Sequence, residues 1–325
     1  MRTAHFTFGL ICFSTAVVAQ DDQAGKFAAE LSRATNLATK QQLFDLRYKF
    51  AAGEKMEWKV EHVSTNKTSM DQTTEVMSSR TQSTTAWKVL SIDSRGQATL
   101  EQTIESVNGW QKNGNHEPVS YDSAKDKSPA KEFETMAQRV GRPLMTLLVD
   151  ERGNTVSGQN ETNQYRFGTG SPWIPFPSKP IPVGHKWYEA GEVRASNDDK
   201  SVKRIKIQIC YELRDVKDGM AKVAFNTEIL TPIDDPKIRS QLSQRITRGH
   251  MDFDITQGRM VGKQVNWNEK VQGFQGPNSL MHYLGEYTVA FVDPAPKTNA
   301  NTSGNISTIK PVKIRTRDDA PVFRR

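Results

Sequence analysis

From residue 202 onward the apolar positions alternate between two spacings. Ile205, Ile207, Ile209, Tyr211 and Leu213 recur at every second residue, with Lys206, Gln208 and Glu212 between them. That period predicts a half-buried strand. The pair Asp218-Gly219 supplies a turn, and Ala221, Val223 and Phe225 resume the alternation. The spacing then lengthens to four at Ile238, Leu242 and Ile246, between an Asp235-Pro236 start and a Gly249 stop, which predicts a helix. Beyond it Met251, Phe253 and Ile255 alternate again, Gly258 makes a turn, and Val261 restarts the pattern.

An earlier stretch follows the same plan. Trp87 and Val89 lead through a turn at Asp93 to Gly96 into Ala98, Leu100, Gln102 and Ile104. A helix is predicted from Ser128-Pro129 to Gly141, with Phe133, Met136 and Val140 as its stripe. Met145, Leu147 and Val149 then alternate up to a turn at Gly153, and Val156 follows. Agreement in order, polarity, caps and turn residues over this length reads as internal duplication. The helix stripe is too narrow to bury on itself, so it must pack on a sheet. The expected fold class is therefore α+β, β-dominant: two duplicated units, each a curved antiparallel sheet packed on one helix with a closing hairpin.

Other segments fill in this plan. Leu46, Tyr48 and Phe50 predict a strand over Asp45 to Phe50, and Met56, Trp58, Val60 and His62 share one face of the next. Ser64 to Thr85 is rich in Thr and Ser, which suits a long exposed hairpin. Phe27, Leu31, Ala34 and Ala38 predict an amphipathic helix in Ala24 to Leu43. Pro172, Pro175, Pro177, Pro180 and Pro182 make an extended linker, and its Trp173, Ile174, Phe176 and Ile181 suit a chain lying across its own domains. The expected organisation is a signal peptide at 1–19, a leader at 20–43, a first unit at 44–171, the linker at 172–183, a second unit at 184–293 and a basic tail at 294–325.

The ends of the chain add a compartment. Arg2, the apolar run Phe8 to Phe13 and the small-residue exit Val17-Val18-Ala19 read as a secretory signal peptide, so export with a mature start near Gln20 is expected. Cys12 follows Ile11 rather than a small residue, which argues against a lipid anchor. Without that segment Cys210 is the only cysteine, so stability must come from core burial rather than a disulfide. Cys210 itself reads as a small side chain on the second face of a sheet. The net charge is +7, with Lys310, Lys313, Arg315, Arg317, Arg324 and Arg325 gathered in the tail, which favours an anionic partner. No further run approaches membrane-spanning length, and nothing points to a specific nucleic acid.

Phe176 to Pro182, then Val183-Gly184 and Trp187 before paired strands, resembles an uncharacterised family of secreted bacterial proteins with duplicated β-rich domains of unknown function. The resemblance implies export and a β-rich fold. It brings no catalytic residues.

Chemistry-bearing patterns are sparse. No serine-nucleophile elbow, zinc-binding His-Glu-x-x-His, phosphate loop or spaced Cys/His cluster is present, and no cofactor is implied. His62 reads as a core-edge histidine with one hydrogen bond. His250, Asp252 and Asp254 share a strand face, of which His250 and Asp252 could share a metal; a solvated face is the alternative. Two stretches exceed the duplicated plan and read as long loops. Asn108 to Lys127 carries Trp110, His116 and Tyr121, and Asn268 to Gly285 carries Phe274, Met281 and Tyr283. Trp110, Tyr121, Phe274 and Tyr283 are the candidate binding residues, unless these loops fold back to cover their own sheet. Three readings stay open, in this order: an exported, non-enzymatic binding or carrier module that takes a small-molecule or apolar ligand at the concave sheet face or the long loops, an envelope structural or interaction protein whose basic tail holds an anionic component, and an enzyme of unrecognised type.

Overall fold

The computed structural model describes residues 42–158 and 173–293. The signal peptide, the leader helix and the basic tail lie outside the described residues. Fourteen strands are β1 Leu43–Phe44, β2 Lys55–Met70, β3 Thr73–Ile92, β4 Ala98–Asn113, β5 Val119–Asp122, β6 Pro143–Val149, β7 Thr155–Gly158, β8 Ile181–Pro182, β9 Lys186–Ser196, β10 Val202–Lys217, β11 Met220–Ile229, β12 Arg248–Asp254, β13 Arg259–Gln272 and β14 Ser279–Val292. Helix α1 is a single turn, Glu134–Ala137, preceded by a 3-10 turn at Lys131–Phe133, and α2 is Pro236–Leu242. The chain is β-dominant, with a large antiparallel sheet. Among the described residues, no helix is long and apolar enough to cross a membrane.

Twelve strands form one sheet, in the order β7-β6-β4-β3-β2-β14-β13-β12-β11-β10-β9, with β5 paired to β4. The join between the two predicted units is β2 against β14, paired from Glu57 opposite Val292 to Met70 opposite Ser279. The halves are thus one ladder. Local turns set the register within each half: Asp218 and Gly219 both take positive φ between β10 and β11, the geometry of a tight hairpin. Asp93 accepts from the backbone N–H groups of Arg95 and Gln97, each at 2.8 Å, between β3 and β4.

One face of this sheet, here the inner face, carries the core. Trp58, Trp87, Leu100, Val149, Ile205, Leu213, Val223, Met251 and Phe253 are all fully or almost fully buried in a single cluster. That cluster is closed by two crossing segments, which pair with each other only at β1 and β8 as a two-stranded sheet. Trp173, Ile174, Phe176 and Ile181 of the proline-rich stretch are 4–5% exposed, so it lies across the core as expected. Trp173 stands edge-on to Tyr48, Phe50, Trp58 and Trp87, with ring centroids 5.1 to 6.2 Å apart.

The segment Asp45 to Phe50 corrects the expectation of a strand. Leu46 and Tyr48 are 2% exposed, so the alternation marks burial correctly, yet the segment joins no ladder. Its backbone bonds go to turns instead: Tyr48 N–H to Glu151 O at 2.7 Å and Lys49 N–H to Gly258 O at 2.9 Å. Arg152, 7% exposed, fastens the same place by donating to Asp45 Oδ1, Leu46 O and Ser178 O at 2.6 to 2.8 Å.

The two helices also differ, against the expectation of equivalent packing. Asp235 caps α2 by accepting from Lys237 N–H at 2.8 Å, and Ile238 and Leu242, each 1% exposed, enter the main core. The helix touches both β9 and β13, so that part of the sheet curls around it. The expected helix from Ser128-Pro129 to Gly141 shrinks to the 3-10 turn, which starts from Ala130, and α1, which starts from Phe133, neither with a side-chain cap. Phe133, Met136 and Val140 then join Val107 and Tyr121 in a separate small cluster.

Candidate functional site

Side chains directly opposite one another on paired strands share a face, so the register maps the inner surface. Across β13, β14 and β2 it places Val265, Tyr287 and His62 in one row. The next row holds Trp267, Gly285 and Ser64, and the one beyond holds Glu269, Tyr283 and Asn66. Ser64 extends its row to β3 through a 2.9 Å hydrogen bond between its Oγ and that of Ser79.

Gly285 is the hinge of this arrangement. A Cβ there would lie 2.8 Å from Trp267 Cε3 and 3.1 Å from Tyr283 Cε1, so its absence lets both rings lie over β14. The rings of Trp267 and Tyr283 meet edge-on at 6.2 Å. Tyr283 reaches diagonally across the glycine to bring its OH to 3.3 Å from His62 Nε2, and the His62 ring also meets Trp267 at 5.7 Å. His62 is thus a half-buried histidine with a hydrogen bond.

Burial sets the electrostatics. It pushes the His62 imidazolium below its ordinary range. It raises the Glu269 carboxyl, against the pull of Arg248 and Arg239, and raises the Tyr283 phenol, against a hydrogen bond with Ser64. Among the described residues, Trp267 Nε1 and Asn66 Oδ1 are buried polar atoms without a hydrogen-bond partner. Trp267 is 5% exposed, so its indole N–H is a donor held out of water. Buried polar atoms left unpaired are uncommon and costly.

A second polar place centres on Lys263 of β13, opposite Met251 of β12. Lys263 is 7% exposed, and its Nζ is 5.6 Å from the Phe225 ring centroid. Tyr211 on β10 donates to Glu189 Oε2 at 2.8 Å. Burial lowers Lys263 from 10.5 to about 8, with Glu189 opposing. Because this pKa is lower in the folded state than in the unfolded one, the unfolded chain holds the extra proton between those values. Stability is therefore expected to rise with pH across that window. A gain of about 2 kcal/mol between pH 7 and 9.5 follows from the linkage relation. Urea unfolding at both pH values would measure it, and Lys263→Met should remove the slope; an unchanged slope would show that Lys263 is not its source.

The residues singled out in sequence are not brought together. The two expected loops are largely hairpin: β4 runs to Asn113 and pairs with β5, and β13 and β14 continue to Gln272 and from Ser279. Tyr121 at 5%, Phe274 at 8% and Tyr283 at 3% exposure are buried in three different clusters. Trp110 is 36% exposed and lies in a row with Arg80 and Val63 on the outer face. The loops therefore cover their own sheet, because strand pairing satisfies their backbone. His250 and Asp252 lie on the outer face of β12, where Asp252 Oδ1 is 3.8 Å from Lys222 Nζ. Among the described residues, no group of three His, Cys, Asp or Glu side chains could hold a metal ion. Cys210 is half-buried on the outer face, opposite Tyr188. Asn66, Trp267 and Glu269 were not singled out; the glycine interrupting the alternation at Gly285 is the signal that marks their place.

No family model and no curated protein matches the sequence. Solved structures give distant likenesses. A structure of lipid-protein interactions in lipovitellin is 9% identical at a TM-score of 0.43, covering 83% of this chain and 27% of that one. This chain thus spans about a quarter of the lipovitellin chain. DynF from the dynemicin biosynthesis pathway of Micromonospora chersina is 5% identical at 0.20, covering 78% and 86%. The open-gate secretin InvG of the Salmonella type III secretion injectisome is 12% identical at 0.19, covering 86% and 68%. At these TM-scores the likenesses assign no role to this chain.

Proposed function

We propose that this protein is an exported binding module that holds a small amphipathic ligand on the inner face, at β13, β14 and β2. The observation that carries this reading is that Trp267 Nε1, opposite Gly285, and Asn66 Oδ1, opposite Tyr283 in the next row, are a buried donor and a buried acceptor without partners on one face. Ligand sites combine apolar walls with a few placed polar groups, and this is such a combination. Export rests on the expected signal peptide. The reading of the halves as copies is supported by matching bonds: Val89 N–H donates to Glu54 O at 2.8 Å, and Leu213 N–H donates to His185 O at 3.1 Å.

Native mass spectrometry of the exported protein is expected to show a polypeptide beginning near Gln20 with a small molecule attached. Trp267→Phe keeps the ring's packing and removes its N–H, so it should lower the fraction carrying that molecule. A bare polypeptide mass for the unaltered protein would overturn the reading. A chain beginning at Met1 would overturn export alone.

A further inference from the structure

We infer that the outer face of β13, β14, β2 and β3, toward the hairpin tips, docks on an anionic lipid bilayer, with Leu280 and Leu284 entering the lipid and Lys67 and Lys270 meeting the headgroups. The register assembles this patch around His282. Lys270 and Lys67 stand directly opposite it on β13 and β2, and Val76 stands opposite Lys67 on β3. Neighbouring strands lie about 4.8 Å apart, so the two lysines flank the histidine with backbones about 10 Å from each other. Leu280 and Leu284 lie two residues before and after His282 on β14, hence on the same face. Both leucines are 41% exposed and Val76 is 38% exposed, and Lys67 and Lys270 are exposed as well. Val63, 40% exposed, lies on the same face opposite Glu286.

Single exposed apolar residues are ordinary, but an exposed aliphatic group mixed with one sign of charge marks an interaction surface. From Leu284 to the tips, the outer positions of these four strands carry Lys67, Lys270 and His282 and no carboxylate. Lys112 adds a further cation on β4, opposite Ser78. The acids around the patch are turned away or engaged. Glu75 shares the inner face with Thr68, Asp71 in the turn accepts from Asn278 Nδ2 at 3.1 Å, and Glu286 accepts from Gln264 Nε2 at 3.0 Å. Burial, then the charges of Lys270 and Lys67, push the His282 imidazolium below its ordinary range, so the field of both lysines reaches the centre of the patch. A bilayer accepts protruding leucines without a matching pocket, and lysine stems can lie along apolar surface while their ammonium groups reach phosphates.

The test is flotation of the full exported protein, at physiological salt, with vesicles of phosphatidylcholine alone or of equal parts phosphatidylcholine and phosphatidylglycerol. Binding is expected to the mixed vesicles and not to the neutral ones. Lys67→Gln with Lys270→Gln should weaken it at least about tenfold, given the usual contribution of a lysine at an anionic surface. Leu280→Ser with Leu284→Ser keeps every charge and should also weaken it at least about tenfold. The control removes the same charge elsewhere: Lys206→Gln with Lys217→Gln, both exposed on β10, three strands from β13, should change binding less than about twofold because salt screens charges that distant. Equal losses from the two lysine pairs would overturn the proposal in favour of net charge, the basic tail included. Leucine variants that bind as well as the unaltered protein would overturn it too. So would failure to bind the mixed vesicles, with or without a dimer that the leucine variants disrupt.

Discussion

Gly153→Ala is expected to lower the stability of the folded chain by about 3 to 5 kcal/mol, adding steric overlap to the strain of a left-handed backbone. Gly153 closes the turn between β6 and β7 at a φ of 81°, and a Cβ there would stand 2.3 Å from Ile174 O and 2.5 Å from Tyr48 Cε2. The first neighbour is backbone, so relief requires moving the crossing segment that closes the core. Gly258, in the turn between β12 and β13, is in the same position from the other half. Its Cβ would meet Lys49 N at 2.7 Å and Arg47 O at 2.8 Å, and Gly258→Ala should cost as much. Gly53 and Gly96 provide the control, with φ of 79° and 77° and nothing within 4 Å. Alanine there should cost only the backbone strain, about 1 to 2 kcal/mol. Urea midpoints for the four variants would separate strain from contact. Equal losses at all four would show that the crossing segments hold the turns loosely.

That comparison also shows where the sequence is legible. Alternation located the strands because each of them buries one face. It marked Leu46 and Tyr48 as buried too, but burial does not say which backbone accepts the N–H bonds. Here the acceptors are Glu151 O and Gly258 O, more than a hundred and two hundred residues away. The single sheet was hidden for a related reason. Its central join pairs Glu57–Met70 with Ser279–Val292, and much of the first strand is Thr, Ser and Asn, whose pattern specifies register weakly. The aromatic-rich stretches looked like loops because they exceed the repeated plan. Extra residues in β4, β5, β13 and β14 lengthen hairpins instead, and Tyr121, Phe274 and Tyr283 turn inward while Trp110 stays on the outer face. The candidate site depends on neighbours across three strands, so only its glycine is visible in one dimension.

Leu242→Ala should cost about 2 to 5 kcal/mol, as for other fully buried leucines. Leu242 is 1% exposed at the end of α2, beside Ile238 and within the main core, so truncation leaves a space that few neighbours can fill. The sequence alone suggests that Gln241, one step around the helix, tolerates change within about half a kcal/mol. The structure revises that figure. Gln241 is exposed, yet its amide pairs with the end of β9, accepting from Ser196 N–H at 2.8 Å and donating to Ser196 O at 2.9 Å. It also donates to Lys237 O at 3.4 Å. The side chain thus acts as a short extra strand partner on an open sheet edge, and Gln241→Ala should cost about 1 to 2 kcal/mol. Denaturant unfolding of both variants would rank them. Hydrogen exchange adds a local reading: the Ser196 amide should lose protection in Gln241→Ala, while Leu242→Ala should weaken protection through the core. An alanine at 242 as mild as one at 241 would mean that α2 does not seal the curl between β9 and β13.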